Sequence, residues 1–177
     1  MTVNSKDGLY AFGSLETVEV PSAGPGTAND LVQKAPVGVL YRHQGNIYRY
    51  VKFYKGATVA PAATKVGYWY ALDPPEGVFT VTCEVAIAIG AGKNMVAGVL
   101  GAVVTNGYYT WIQVGGVCDA VCAASVVAGD KLIYGGNGAF ARNAAGVDLP
   151  DHVYAIALET VDPTSYVGSV LLQNLNW

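Results

Sequence analysis

The chain has 177 residues, 52% of them hydrophobic and only 13% charged, with a formal net charge of -3, 22 glycines, 12 tyrosines and 3 cysteines. Its size fits one domain with its own core plus a short appendage, and its weak negative balance excludes a general attraction to nucleic acid or to anionic membranes. No apolar run reaches the ~18 to 20 residues of a membrane-spanning helix, because Gly, Asn, Lys or Asp breaks each one.

The opening stretch MTVNSKDGLYAFGSLETVEVP carries an early Lys but no continuous apolar segment, and acids stand where a signal peptide is apolar. The expected site of synthesis is therefore a cytoplasm. Residues 20–30, VPSAGPGTAND, are rich in Pro, Gly and small polar residues and predict a linker. On that basis residues 1–35 form an N-terminal arm and residues 36–177 the body.

Beyond the linker, apolar residues rarely recur at helical spacing. They come as short runs of Val, Ala, Ile and Tyr bounded by Gly, Asn, Asp and Pro, which predicts an all-β barrel or sandwich of short antiparallel strands. The first hairpin is GVLYRHQGNIYRYVKFYKG, with HQGN at its turn. Alternation along its second arm puts Tyr48, Tyr50, Lys52 and Tyr54 on one face and Arg49, Val51 and Phe53 on the other. The arm also overlaps the tail of an RNA-binding motif at Tyr48, Tyr50, Val51 and Phe53, and stacking beside Arg49, Lys52 and Lys55 is how single strands are held. However, Asn46 and Ile47 replace the basic-Gly pair that opens the motif, and no helices follow. The expectation is a half-buried sheet strand with no nucleic-acid partner, and Tyr48, Arg49, Tyr50 and Lys52 are the candidate protein-interface residues.

Further along, Asp73, Glu76 and Glu84 form only the chance pairs that any acidic residues would. The stretch IAIGAGKN, residues 87–94, lacks both the first Gly and the final Ser or Thr of a phosphate loop. Residues 90–104, GAGKNMVAGVLGAVV, fit either a strand or a short helix, because Gly interrupts both patterns. Next come GYYTWIQVGG and VCDAVCAASVV, taken as successive strands, then a Gly-Asp turn in VVAGDKL. The hairpin KLIY-GGNG-AFAR follows, and a second hairpin, AIALETVDPTSYVGSVLL, turns at DPTS. Cys118 and Cys122 would share one face of a strand about 13 Å apart, beyond disulfide reach. With only Cys83, His43 and His152 to join them, at no metal-ligand spacing, they read as small buried thiols of a reducing compartment. His152 beside Asp151 and near Asp148 lacks a placed nucleophile and reads as a polar loop. No cofactor, metal or catalytic residue is expected.

Two stretches, GNIYRYVKF and the later series AGVLGAVVTNGYYTWIQVGG, VVAGDKLIYGGNGAFAR and HVYAIALETVDPTSYVGSVLLQN, together resemble small β-rich capsid decoration proteins of tailed bacteriophages. The matching residues are Tyr48 to Val51, Ala97 to Val99 with Gly101, Gly107 with Tyr108, Trp111 to Gly115, Ala128 to Asp130, Ala155 to Glu159, and Val170 to Leu172. The likeness covers residues 38–174 and leaves the N-terminal 35 unmatched. It implies a protein on the capsid surface of the virion, assembled in the host cytoplasm. Such a protein binds the major capsid protein shell from outside, often as a homotrimer, and stabilises the head without turnover. The sparse charge agrees, since 23 charged residues on roughly 8,000 Å² is about half the usual density. The rival function is a carbohydrate- or receptor-binding module of a phage fibre or tail, with Trp69, Tyr70, Tyr108, Tyr109 and Trp111 as an aromatic platform.

Overall fold

The computed structural model describes residues 29–54, 59–70, 79–84, 96–143 and 153–173, which contain ten strands and no helix. The first hairpin forms as its alternation and turn residues predict. Strand β1 (Leu40–His43) turns through Gln44 and Gly45 into β2 (Asn46–Phe53), with Tyr41 opposite Tyr48 and His43 opposite Asn46. Strands β3 (Val66–Trp69), β4 (Thr80–Thr82), β5 (Val96–Leu100) and β6 (Tyr109–Val121) then join β2 in a closed five-stranded barrel, in the order β2-β4-β3-β5-β6 and back to β2. The pairings are antiparallel except β2 with β4. Val51, Phe53, Val66, Tyr68, Val81, Val96 and Ile112 belong to its core and are fully buried. The ambiguous stretch 90–104 thus contains β5, and residues 90–95 lie outside the described residues.

One departure from expectation organises the rest of the molecule. GYYTWIQVGG and the start of VCDAVCAASVV are not two strands but the single 13-residue strand β6. The bulge in β6 lies at Val114, which the β2–β6 register skips between Gln113 and Gly115, just before the Gly115-Gly116 pair where the two predicted strands were divided. Gly116 has φ +90° and lies so close to the Asn46 side chain that a Cβ there would collide with it. Past the bulge, β6 leaves β2 and pairs with β10 (Val167–Leu172), which starts a second sheet. That sheet continues through β9 (Ala155–Ala157), β7 (Lys131–Tyr134) and β8 (Phe140–Arg142) in the order β6-β10-β9-β7-β8. A parallel bridge between Cys122 and Phe140, with the Ala123 N–H donating to the Phe140 carbonyl at 2.9 Å, draws β8 back to the end of β6. The second sheet therefore curls around its own interior, and one continuous core, from Ile47 to Leu172, serves both halves.

The predicted β7–β8 and β9–β10 hairpins are both present. The Gly-Asp turn also forms, with the Asp130 carboxylate accepting from the Val127 N–H at 2.9 Å, but residues 123–127 before it are turn and loop rather than strand. In the β9–β10 connection the Asp162 carboxylate accepts from the Thr164 N–H at 2.8 Å, and this backbone hydrogen bond holds its pKa below the ordinary value. A depressed folded pKa stabilises the folded state above the ordinary carboxylate range, and the contribution is lost as pH falls through the folded value. Acid titration followed by NMR should accordingly show the Thr164 amide losing protection together with protonation of Asp162.

The arm boundary at residue 35 does not coincide with a structural break. Asp30 and Tyr109 exchange two backbone hydrogen bonds of 2.9 and 2.8 Å, the Gly38 N–H donates to the Tyr50 carbonyl at 2.7 Å, and the Tyr50 N–H donates to the Val39 carbonyl at 3.0 Å. Residues 29–39 are therefore strapped across the outside of β2 and β6, and they enclose a second small core of Ala35, Tyr41, Tyr50 and Trp111. Residues 1–28 lie outside the described residues.

A close approach between β5 and β6 yields a test of the barrel register. A Cβ at Gly98 would stand 2.5 Å from the Gln113 carbonyl oxygen and 3.1 Å from Ile112 Cδ1, against backbone and core rather than a movable tip. Gly98→Ala should lower the urea unfolding free energy by about 1–3 kcal/mol.

Candidate interaction surface

The structure separates the four candidate interface residues. Arg49 and Tyr50 are 3% and 0% exposed, so neither presents a surface to a partner. Tyr48 and Lys52 are half-buried and keep part of their surface outside. The alternation itself is as expected. Tyr50 opposes Trp111 on the outer side of the barrel and Arg49 opposes Ile112 on the inner side. What alternation does not reveal is the strap, which covers the outer side. The Tyr50 hydroxyl donates to the Asp30 carboxylate at 3.0 Å and accepts from the Lys34 N–H at 3.2 Å. Its ring stacks on Tyr109 at 6.0 Å, and Lys34 pairs with Asp30 at 3.4 Å. Burial raises the Tyr50 pKa well above its ordinary value, so the phenol stays a donor. On the inner side the Arg49 guanidinium lies 5.7 Å from the centroids of both Trp69 and Phe79, a buried cation between two rings. Desolvation lowers its pKa, but an arginine remains charged at neutral pH.

The five aromatics of the rival platform do not share an exposed face. Trp111 is 2% exposed beneath the strap, Tyr109 stacks on buried Tyr50, Tyr108 and Trp69 pack against the main core, and Tyr70 is part of a separate stack on Tyr54 at 4.1 Å.

The three cysteines are free thiols. Desolvation by burial pushes Cys83 and Cys118 up to about 12 and Cys122 up to about 11. At pH 8 that leaves roughly one thiolate in a thousand or fewer. In the native protein all three should stay unreacted with a thiol reagent such as DTNB over the time in which urea-unfolded protein reacts completely. Among the described residues, no three His, Cys, Asp or Glu side chains converge to hold a metal ion, and no helix is long and apolar enough to cross a membrane. Asp73, Glu76, the 87–94 stretch, Asp148, Asp151 and His152 lie outside the described residues.

A different surface emerges on the second sheet. Strand register aligns Val117 of β6, Leu171 of β10, Ile156 of β9 and Lys131 of β7 in one row. Neighbouring Ala120, Val170, Leu172, Ala155 and Leu132 point into the core, so the row faces outward. Val117 is 49% exposed, Leu171 38% and, beside them on the loop after β9, Leu158 46%. Sequence reasoning missed this surface, although its signal is present. In GVCDAVC, Cys118, Ala120 and Cys122 face inward while Val117 and Val121 face outward, and in VGSVLL, Leu171 stands outward between inward Val170 and Leu172. Strands that are apolar on both faces are ordinarily covered on both.

Comparison with protein-family models, with curated proteins and with solved structures finds no match for the chain.

Proposed function

We propose that the chain is a non-enzymatic virion structural protein that binds the outer surface of an icosahedral phage head and stabilises the shell as a homotrimer. The observation that carries this reading is the outward apolar row of Val117, Leu171 and Ile156 on an all-β body poor in charge. A β-rich scaffold with inert thiols and apolar surface left over suits adhesion better than turnover. The resemblance of the strand-motif order to that of phage decoration proteins suggests the kind of partner. The aromatic-platform alternative draws no support from the buried Trp111.

The test is co-sedimentation with expanded, DNA-free heads of tailed phages that lack their own decoration protein. Saturable binding that raises the temperature at which the heads disrupt is the expected result. Absence of binding to heads, with specific hits on a glycan array, would replace this reading with the receptor-binding module.

A further inference from the structure

We propose that the outer side of β2 and β6 is a binding surface for an extended peptide that carries a carboxylate, and that the chain's own residues 29–35 occupy it as a displaceable internal ligand. This inference goes beyond the phage-head reading and does not depend on it.

The strap itself shows what the surface recognises. On one side of Tyr109 lies Lys52 of β2, and on the other β5 pairs only with Ile112 and Gln113, so the edge of β6 beside Tyr109 is filled by Asp30. The Asp30 N–H donates to the Tyr109 carbonyl and its carbonyl accepts from the Tyr109 N–H, which is how an extended peptide is added to a sheet edge. The Asp30 carboxylate then accepts from the Tyr50 hydroxyl at 3.0 Å. Five residues on, Ala35 is buried against Tyr41, Tyr50 and Trp111. A ligand that meets this edge, this phenol and this aromatic floor needs an extended backbone, a carboxylate and a small apolar side chain. Lys52, next after Tyr50 on the same side of β2, adds positive charge that favours an acidic ligand.

The same contacts make the strap displaceable. Its two largest apolar side chains point away from the body, with Leu31 67% and Val32 70% exposed, and within 29–35 it is Ala35 that is buried. Hydrogen bonds and a partly exposed ion pair are largely replaced by water on opening, so each holds the strap weakly. The barrel strands, by contrast, close on a fully buried apolar core. A segment with so little buried apolar contact opens at a lower free energy than the whole domain. The pivot is the turn from Pro36 to Val39, closed by the Val39 N–H on the Pro36 carbonyl at 3.2 Å, with Gly38 at φ +87°. The Gly38 N–H stays on the Tyr50 carbonyl, so the body side of the pivot remains docked. Opening uncovers the Tyr109 edge, the Tyr50 hydroxyl and the Trp111 ring together.

The test has two steps, both on the full chain. In native-state hydrogen exchange by NMR, the amides of Asp30, Lys34 and Tyr109 should exchange as one group, roughly tenfold or more faster than those of Val66 and Leu100, which are bonded within the body. Asp30→Ala should speed the first group by roughly tenfold or more again and leave the second unchanged. The tethered strap competes at high effective concentration, so the second step uses a chain in which it is weakened. A synthetic peptide of residues 29–35, titrated onto Asp30→Ala, should shift the Tyr109 amide and Trp111 indole signals saturably, and the same peptide bearing Asp30→Asn should bind roughly tenfold or more weakly. Tyr50→Phe, which keeps the ring and removes the hydroxyl, should also free the strap but take up both peptides equally. Strap amides that exchange only at the rate of the barrel amides would overturn the proposal. So would failure of both opened variants to bind the peptide, or binding to Asp30→Ala that ignores the carboxylate.

Discussion

Phe140→Ala is expected to lower the unfolding free energy by about 3–5 kcal/mol, a large share of the roughly 5–15 kcal/mol that holds a domain together. Phe140 is fully buried in the core cluster that spans both halves of the molecule. It stands at the seam of the second sheet, where its backbone bridges Cys122 and receives the Ala123 N–H. Its neighbour Ala139 accepts a hydrogen bond of 2.9 Å from the hydroxyl of Tyr68, a residue of the five-stranded barrel. Removing the ring leaves a cavity at the junction of barrel and second sheet, and the flanking backbone bonds restrict how far the walls can collapse into it. Because the core is continuous, urea should unfold the variant in one transition with its midpoint lowered and its slope unchanged. Val103→Ala, 66% exposed, should stay within about 0.5 kcal/mol of wild type. Two separate transitions in either protein would show that the halves do not fold as one unit.

Local features of the fold were readable from the chain because they depend on near neighbours. The β1–β2 turn at Gln44-Gly45 and the β7–β8 hairpin announce themselves by turn residues between alternating apolar arms. The pairings that close the barrel, β2 with β4 and β2 with β6, join strands separated by loops, and no short pattern encodes which of them meet. The division of β6 into two strands at Gly115-Gly116 has a related reason. A glycine pair marks positive φ or close approach, and composition cannot tell a chain reversal from a bulge that lets Asn46 come near. Residues 29–35 were assigned to the N-terminal arm because the Pro- and Gly-rich stretch 20–30 reads as a linker, yet they dock through backbone bonds and the Asp30 carboxylate, which need no apolar periodicity.

The same logic explains the candidate site. Strand alternation assigned Tyr50 and Arg49 to opposite faces correctly, but whether a face meets solvent depends on a segment elsewhere in the chain. Tyr50 is enclosed by the strap, and Arg49 is turned toward Trp69 and Phe79. The outward row on β6 and β10 was legible in principle, since Val117 and Leu171 break the apolar-polar alternation that a one-sided strand keeps. What hid it was composition, because in a chain that is 52% hydrophobic an extra Val or Leu does not stand out.

Trp111→Ala should also cost about 3–5 kcal/mol, but through a different part of the molecule. The indole is 2% exposed and lies 5.1 Å from the ring of Tyr50 and 5.9 Å from that of Tyr41, so it fills the small core that the strap covers. Among the described residues that core has four buried members, Ala35, Tyr41, Tyr50 and Trp111, and removing the largest takes away the surface on which residues 29–39 rest. The Asp30–Tyr50 and Lys34–Tyr50 hydrogen bonds depend on the Tyr50 ring keeping its position, which the indole enforces. Limited proteolysis should therefore cut the variant within residues 29–39 at protease levels that leave wild type whole, and Trp111→Phe should fall between the two. A glycan-platform role makes the opposite prediction, with stability and protease resistance unchanged and sugar binding lost. Measuring all three on one preparation decides whether the aromatic residues of β6 hold the strap or face a ligand.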